Sequence, residues 1–331
     1  MTQLTSLYIG PPYVKMKLFY NSRYKCGIIW PMTKVAIIGA GEMGRTLGSL
    51  IIQKGHSVYF WDKFADQLIG LNQDSDQSLP AIIDSAEVIF LCVPSSALRE
   101  VLFFIEPYLK AKQVLVSLIK GLEASQGLTA TQFISKIVPR CYLGVLGGPM
   151  LAEELKANLP GGAVLASKRA KVLDLVAPLL SNPKLRVETS SDLAGVSIAG
   201  VLKNIYVLGL GAGEALKWGA NARALYLTEA LQEMIKIGHF FGAKTETFFG
   251  LAGLGDLLAT GFSLDSFNFQ VGQSLVNGKD LSQISEGQAS LPILLDLLGP
   301  RAKKFPLLLL LKKLVLDKAE AKILYTQAGY L

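Results

Sequence analysis

The chain predicts an α/β fold: a doubly wound, mostly parallel sheet followed by an all-helical C-terminal domain. Three observations carry that prediction. Short β-branched runs alternate with helix-length segments from Lys34 to Glu188, the pattern of strands joined by helical crossovers. The first run leads directly into a turn with glycine at three spaced positions, Gly39, Gly41 and Gly44. Beyond Ser190 the strand signals stop and long helical patterns take over.

Lys34–Ile38 is rich in Val and Ile and too short for a helix, so it reads as the first strand. Gly39-Ala40-Gly41-Glu42-Met43-Gly44 follows, then a helix over 45–54, then a second strand Ser57–Trp61 that ends at Asp62. Strand, Gly-x-Gly-x-x-Gly, helix, strand and acid in this order make a dinucleotide-binding signature and a Rossmann-type fold. Gly39 permits the tight turn, Gly41 lets a pyrophosphate approach the backbone, and Gly44 lets helix and strand pack closely, with the phosphates at the helix N-terminus. A βαβ turn of purely structural use is the alternative. Further strands are expected over 87–93, Val114–Ser117, 142–146, 163–166 and 185–188, and helices over 97–108, 125–137 and 169–180. Helices over 192–216 and 221–241, with shorter ones after Asp256, complete the chain. The organisation expected is an extension over 1–32, a dinucleotide-binding domain over 33–189 and a helical substrate-binding domain over 190–331. Ligands belong where the carboxyl ends of the strands face the helical part.

Of the 331 residues, 50% are hydrophobic, but no charge-free apolar stretch reaches the roughly 18 residues of a membrane span. The run 306–311 meets Lys312 and Lys313 at once. Cys26, Cys92 and Cys141 are too few and too scattered for a disulfide framework and show no zinc spacing, which fits a reducing cytoplasm and no metal. The net charge of +7 comes without any basic cluster interleaved with aromatics, so small anionic ligands are a better match than nucleic acid. The apolar excess suits a homodimer interface. Residues 1–32 carry Lys15, Lys17, Arg23 and Lys25 and no acid. That composition reads as a disordered arm or a stretch upstream of the true start, with a transit peptide as the alternative.

Only His56, at the mouth of the second strand, and His239, late in a helix whose other residues look like core, are available as imidazole bases, so a lysine must be considered for proton transfer. Lys203 interrupts the apolar stretches 194–202 and 205–211 of a long helix. Burial lowers the pKa of an amine and fits it for proton transfer, whereas a snorkelling surface lysine is the structural alternative. Lys120 follows a strand and so lies at the ligand edge of the sheet. Asp256 sits in Gly250-Leu-Ala-Gly-Leu-Gly-Asp256, where flanking glycines permit φ > 0 and close approach to a ligand. The plainer reading makes Asp256 the N-cap of a helix starting at Leu257.

The chain resembles the NAD(P)-dependent glycerol-3-phosphate dehydrogenases from Met32 to about Pro300. The resemblance rests on the glycine motif, Val93-Pro-Ser-Ser-Ala-Leu-Arg99, Lys120-Gly-Leu-Glu123, Gly148-Pro149 with Ala152-Glu153, Leu202-Lys203-Asn204, Asn221-Ala-Arg-Ala224, the stretch ending at Asp256, and Glu286-Gly287. Any one of these is modest, but eight in the right order are specific. The resemblance implies reduction of dihydroxyacetone phosphate, a small phosphorylated three-carbon substrate, with NAD or NADP, supplying glycerol phosphate for phospholipids. It implies Lys203 as the proton donor and acceptor, with Lys120 and Asp256 completing the catalytic set. Substrate contacts are implied for Lys120, Gly148, Met150, Lys203, Asn204, Asp256, Ser266 and Asn268. Cofactor contacts are implied for Gly39, Gly41, Glu42, Met43, Gly44, Asp62, Lys63, Lys120, Ala152, Phe267, Ile284 and Glu286.

This sequence departs from the family in places. The family's Ser-Arg-Asn reads Ser266-Phe267-Asn268, its Gly-Pro-Ser reads Gly148-Pro149-Met150, and Val201 stands where a smaller residue is typical. The missing arginine is the one expected to grip phosphate, and charge-assisted bonds of that kind contribute roughly 1.5–3 kcal/mol each. Lys279, Arg223 or backbone amides are the substitutes within the chain. A less anionic hydroxy substrate, or a nucleotide-binding paralogue without catalysis, are the other readings.

Overall fold

A computed structural model describes residues 32–71, 78–279 and 281–323 in full, together with the backbone of two earlier strands. Those strands, β1 (Lys17–Asn21) and β2 (Tyr24–Ile29), pair antiparallel in a two-stranded sheet of their own. The rest of the extension expected over 1–32 falls almost wholly outside the described residues.

β3 (Lys34–Ile38) is buried from Val35 onward. It is flanked by β4 (Ser57–Trp61) on one side and β5 (Val88–Leu91) on the other, both parallel to it. β6 (Val114–Ser117) follows β5, and β7 (Leu122–Glu123) and β8 (Leu128–Thr129) form a small separate ladder. β9 (Tyr142–Gly147), β10 (Gly161–Ala166) and β11 (Leu185–Ser190) complete a seven-stranded sheet of order β11-β10-β9-β6-β5-β3-β4. Five strands run parallel, as the alternating pattern predicts. β10 turns back antiparallel to β9 and β11 runs parallel to β10. Between β9 and β10 the only helix has five residues, Ala152–Lys156, too little for a crossover that returns a strand in the same direction.

Helices α1 (Glu42–Gln53), α2 (Leu79–Ser85), α3 (Leu98–Ile105), α4 (Ala130–Ile137), α5 (Ala152–Lys156) and α6 (Ala170–Leu180) accompany the sheet. The strands alternate between its two faces. Val35 and Ile37 pack with Leu47 and Ile51 of α1 and Val172 and Val176 of α6, while Ala36 and Ile38 pack with Leu98 and Leu102 of α3 and Phe133 of α4. The helix expected over 125–137 starts only at Ala130. The Glu123 carboxylate accepts from Gln126 N at 3.0 Å and folds the preceding residues into the β7–β8 turn, and Thr129 with Gln132 forms a capping box that starts the helix.

From Leu193 every described element is helical: α7 (Leu193–Ala215), α8 (Ala220–Phe240), α9 (Thr245–Phe249), α10 (Asp256–Phe262), α11 (Phe267–Asn277), α12 (Glu286–Leu298) and α13 (Pro306–Val315). α7 is apolar on all sides because it is the core of this layer. It is long and apolar enough by length and composition to cross a membrane, yet 94% of its apolar window is buried inside the fold. Two features fix it. Tyr206 Oη donates to Glu233 of α8 at 2.7 Å, and the same buried carboxylate accepts from Leu307 N at 2.8 Å and Leu308 N at 2.9 Å at the start of α13. Against α11 the contact is backbone to backbone: a Cβ on Gly211 would lie 2.0 Å from Phe269 O, and one on Gly272 would lie 2.1 Å from Leu208 O. This reciprocal glycine contact sets the start of α11 beside Asn204.

Gly272→Ala is therefore expected to force α11 off α7 and to lower stability by about 2–3 kcal/mol. A urea midpoint equal to that of the wild type would show that the two helices separate without cost.

Candidate active site

The glycine turn behaves as its spacing predicts. Gly39 has φ +101°, and a Cβ there would lie 2.7 Å from Cys92 O of the neighbouring strand end. A Cβ on Gly44 would strike Gly39 O, whereas Gly41 faces open space. The first turn of α1 has no side-chain cap, so its backbone N–H groups are left for an anion. Beside it, at the point where strand order reverses between β3 and β5, lies a cleft of about 290 Å³ lined by Gly39, Gly41, Trp61, Asp62, Val93 and Pro94 among others. These features fit a dinucleotide: a glycine with no Cβ where the pyrophosphate must approach, an uncapped helix start, and a carboxylate at the end of the second strand.

The other half of the site is a single carboxylate between two ammonium groups. Asp256 Oδ2 accepts from Lys120 Nζ at 2.6 Å, and Oδ1 lies 3.3 Å from Lys203 Nζ. Lys203 Nζ also donates to Thr260 Oγ1 at 2.7 Å, and Thr260 Oγ1 donates on to Asp256 Oδ1 at 3.2 Å. Lys120 comes from the loop after β6 and Lys203 from α7, so the carboxylate ties the sheet to the helical layer. Gly200, one turn before Lys203, leaves room for the Lys120 stem, since a Cβ there would lie 3.0 Å from Lys120 Cγ. Lys120 Nζ is also 3.5 Å from Gly148 O at the end of β9.

Burial decides how these groups titrate. Lys203 is 5% exposed and Asp256 2%. Desolvation pushes the Lys203 amine down, Asp256 pulls it back up, and Lys120 lowers it again, leaving it at about 8. Desolvation likewise pushes the Asp256 carboxyl up, but the Lys120 and Lys203 charges outweigh it and hold the group below the ordinary carboxylate range. Because the folded value of Lys203 lies below the unfolded 10.5, its protonated form weighs against the fold below pH 8, and that penalty is relieved as pH rises from about 8 towards 10.5.

Asn204 and Asn268 reach this centre through the Lys120 backbone, and the other expected residues lie around the sheet edge and the helix starts. Asn204 Nδ2 donates to Lys120 O at 2.9 Å, Asn268 Nδ2 donates to Asn204 Oδ1 at 3.1 Å, and Gly287 N donates to Asn268 Oδ1 at 2.9 Å. Glu286 clasps the sheet, accepting from Ser95 N at 2.7 Å and Ser95 Oγ at 2.5 Å. Ser266 caps α11 by accepting from Phe269 N at 3.4 Å, and Phe267 opens that helix half-buried. Met150 is 5% exposed and packs in the apolar cluster on the α1 and α6 face of the sheet, and Ala152 opens α5. Ile284 stands 78% exposed in the loop before α12. Met43 is half-buried against the sheet cluster, and Glu42 is exposed with Lys156 Nζ 3.3 Å away. Neither histidine reaches the centre: His56 Nδ1 accepts from Thr33 N, and His239 pairs with Thr245.

Two readings change. Asp256 is not an N-cap, since it is the first residue of α10 and its side chain goes to the two lysines and Thr260. Gly250, Gly253 and Gly255 do not take φ > 0. Leu251–Gly255 instead forms a π-helical turn running into α10, and glycine is required at 253 because a Cβ would lie 2.3 Å from Phe248 O. Thr260 and Ser95 were not singled out from the sequence. Thr260 carried a signal in its place four residues after Asp256 on the same helix face.

A nucleotide crevice at the carboxyl edge of a parallel sheet, together with a helical layer that presents a buried lysine to a fixed carboxylate, defines a nicotinamide-dinucleotide-dependent dehydrogenase. Residues 34–173 match the family described as the NAD-dependent glycerol-3-phosphate dehydrogenase N-terminus, and residues 192–325 match its C-terminus. The chain belongs to that family. It is 36% identical to a glycerol-3-phosphate dehydrogenase [NAD(P)+] of Synechococcus sp. (strain JA-3-3Ab), over 83% of this chain and 88% of the relative. To one from Azotobacter vinelandii (strain DJ / ATCC BAA-1303) it is 35% identical, over 78% and 83%. The crystal structure of glycerol-3-phosphate dehydrogenase from Coxiella burnetii superposes with a TM-score of 0.82 at 29% identity, covering 88% of this chain and 97% of that one.

Asp256→Asn would leave two ammonium groups, one fully buried, without their counter-charge. Denaturant unfolding should register a loss of about 3–5 kcal/mol. Adding Lys203→Met should restore part of it, because the unpaired buried charge is then gone; a double variant no more stable than the single one would contradict the pairing.

Proposed function

We propose that this chain interconverts dihydroxyacetone phosphate and sn-glycerol 3-phosphate, with Lys203 exchanging the proton at the C2 oxygen. The observation that carries the reading is Asp256 holding Lys203 and Lys120 together, with Lys120 in the loop after β6, on the same sheet whose β3, β4 and β5 ends form the dinucleotide cleft. Gly39, Gly41, Gly44 and the first turn of α1 would hold the pyrophosphate, Asp62 would accept from the adenosine ribose, and Glu42, Met43, Ala152, Phe267, Ile284 and Glu286 would border the rest of the dinucleotide. When bound, the nicotinamide supplies the hydride for C2 in reduction and receives it in oxidation.

The protein's own part is the proton. As C2 is reduced, negative charge develops on its oxygen, and the Lys203 ammonium both stabilises that charge and delivers the proton. Lys120 adds a second positive charge at the same oxygen. Asp256 and Thr260 hold the Lys203 amine in one orientation, and Asn268, Asn204 and Gly148 fix Lys120 through its backbone and side chain. An amine near 8 is largely protonated at neutral pH yet loses its proton readily, so it serves both directions.

We do not assign the phosphate to Lys279 or Arg223. Lys279 follows the far end of α11, about 16 Å along the axis from Phe267. Arg223 is bound to Glu214 at 2.5 Å and to Trp218 O at 3.0 Å. We place the phosphate at the Phe267 and Asn268 amides that open α11, next to the Phe269 amide that Ser266 already caps, with the Asn268 side chain beside it. Reduction to sn-glycerol 3-phosphate, as a source for phospholipid synthesis in a reducing cytoplasm, is the direction we propose; Cys92 and Cys141 are free thiols.

Reduction of dihydroxyacetone phosphate should fall as pH rises through about 8 and the reverse oxidation should gain over the same range, because the first needs the Lys203 ammonium and the second the free amine. Rates measured across pH in both directions check this, and activity surviving in Lys203→Ala with the same profile would overturn the assignment. Phe267→Arg is expected to lower the KM for dihydroxyacetone phosphate by about tenfold, the value of one charge-assisted phosphate contact, without helping unphosphorylated dihydroxyacetone. If the wild type prefers the unphosphorylated compound and the arginine changes nothing, the substrate is a less anionic one.

A further inference from the structure

The adenosine end of the cleft carries a charge pattern that separates the two nicotinamide dinucleotides. Asp62 ends β4 and lines the cleft; its Oδ2 accepts from Ala40 N at 2.7 Å and its Oδ1 from Phe64 N at 3.0 Å. Two backbone bonds fix the carboxylate in place and leave each oxygen with a further lone pair for a ribose hydroxyl. Lys63, the next residue, is the only cation lining the cleft among the described residues, and Glu100 of α3, on the opposite wall, binds its Nζ at 2.7 Å. A second cation at this end, Arg45, is spent on the backbone: Nε donates to Ala40 O at 2.9 Å, Nη1 to Ile69 O at 3.2 Å and Nη2 to Gln67 O at 2.6 Å. Its work is to brace the glycine turn against the segment after β4.

We propose that this chain selects NAD(H) over NADP(H), and that Glu100 is a residue that sets the selection. NADP(H) differs by a 2′-phosphate carrying nearly two negative charges at neutral pH, which calls for an unpaired cation and a bidentate donor fork. Here it meets two carboxylates and a lysine already paired to one of them. A 2′-hydroxyl meets the opposite: Asp62 is an acceptor held at the end of the second strand. Glu100 acts twice, by taking the Lys63 ammonium across the cleft and by adding its own charge to that of Asp62. The pair is exposed, with side chains 60% and 65% accessible, so its effect is on the sign of the local field and not on the stability of the fold.

The inference rests on the dinucleotide-dependent reading above, and its test needs no turnover. The full chain is titrated with NADH and with NADPH, following quenching of protein fluorescence, to which Trp61 in the cleft wall contributes, and the enhancement of nicotinamide emission. NADH should bind about tenfold tighter or more, a difference of about 1.4 kcal/mol. Glu100→Gln, at an exposed position, should shift the NADH to NADPH affinity ratio towards NADPH by roughly three- to tenfold, the scale of one like charge removed and one cation released. NADPH binding as tightly as NADH in the wild type, or a ratio that Glu100→Gln leaves in place, overturns the proposal. Binding of neither dinucleotide would overturn it together with the oxidoreductase reading. Selective binding of NADH without turnover of dihydroxyacetone phosphate would sink the substrate assignment alone and leave the selectivity standing.

Discussion

One carboxylate with two ammonium partners is the constraint around which the rest of this molecule is arranged. Asp256 is almost fully buried, and a buried carboxylate is tolerated only when opposite charge and hydrogen bonds surround it. Lys120 and Lys203 supply that charge, Thr260 supplies the hydroxyl, and the three groups then define each other's protonation. The balance is uneven by construction. The carboxylate keeps its charge because two cations face it, whereas the Lys203 amine, desolvated and crowded by Lys120, gives its proton up far more easily than a surface lysine. A group that must donate a proton in one direction and accept it in the other needs that intermediate position.

The same ion group is also the seam between the two layers. Its members come from a loop after β6, from the middle of α7 and from the first residue of α10, so it forms only when the sheet edge and the helical layer meet. Shape enforces the meeting. Glycines at 200, 211 and 272 let a lysine stem and a neighbouring helix lie against α7 without side chains between them. The amide chain from Gly287 through Asn268 and Asn204 to the Lys120 carbonyl, and the clasp of Glu286 on Ser95, bind the two layers together. Packing precision here is a condition of the chemistry, since a small displacement of α11 or α12 moves the groups that hold Lys120.

How much of this the sequence declared depends on the range of the interaction. β3, the glycine turn and α1 were legible because strand propensity, turn conformation and helix start are local properties of Lys34 to Lys54. Lys203 was legible because a charge in an otherwise apolar helix is conspicuous without any partner being known. Of what Lys203 touches, Asp256 was legible only through the family resemblance and Thr260 not at all: both lie more than fifty positions away, and only the folded helices bring them within reach. The glycines before Asp256 misled for a related reason. Their use is to let the Leu251–Gly255 turn lie on the Phe248 backbone, a contact with no counterpart in single-residue preference. The reversal of β10 followed from a connection too short to cross the sheet, and the lengths of the flanking strands did not show it. Lys279 and Arg223 looked available as charges in the sequence, and the fold sends one to the far end of a helix and the other to Glu214.

Proton exchange at the substrate depends on the state of the Lys203 amine. Heteronuclear NMR of the intact protein labelled at its lysine ammonium groups, with the Lys203 signal assigned by its loss in Lys203→Arg, follows that titration directly. The account predicts a midpoint at about 8. A midpoint near the unperturbed 10.5 would contradict it, because an amine that stays charged throughout the physiological range is a fixed cation and not a proton donor poised to give its proton up.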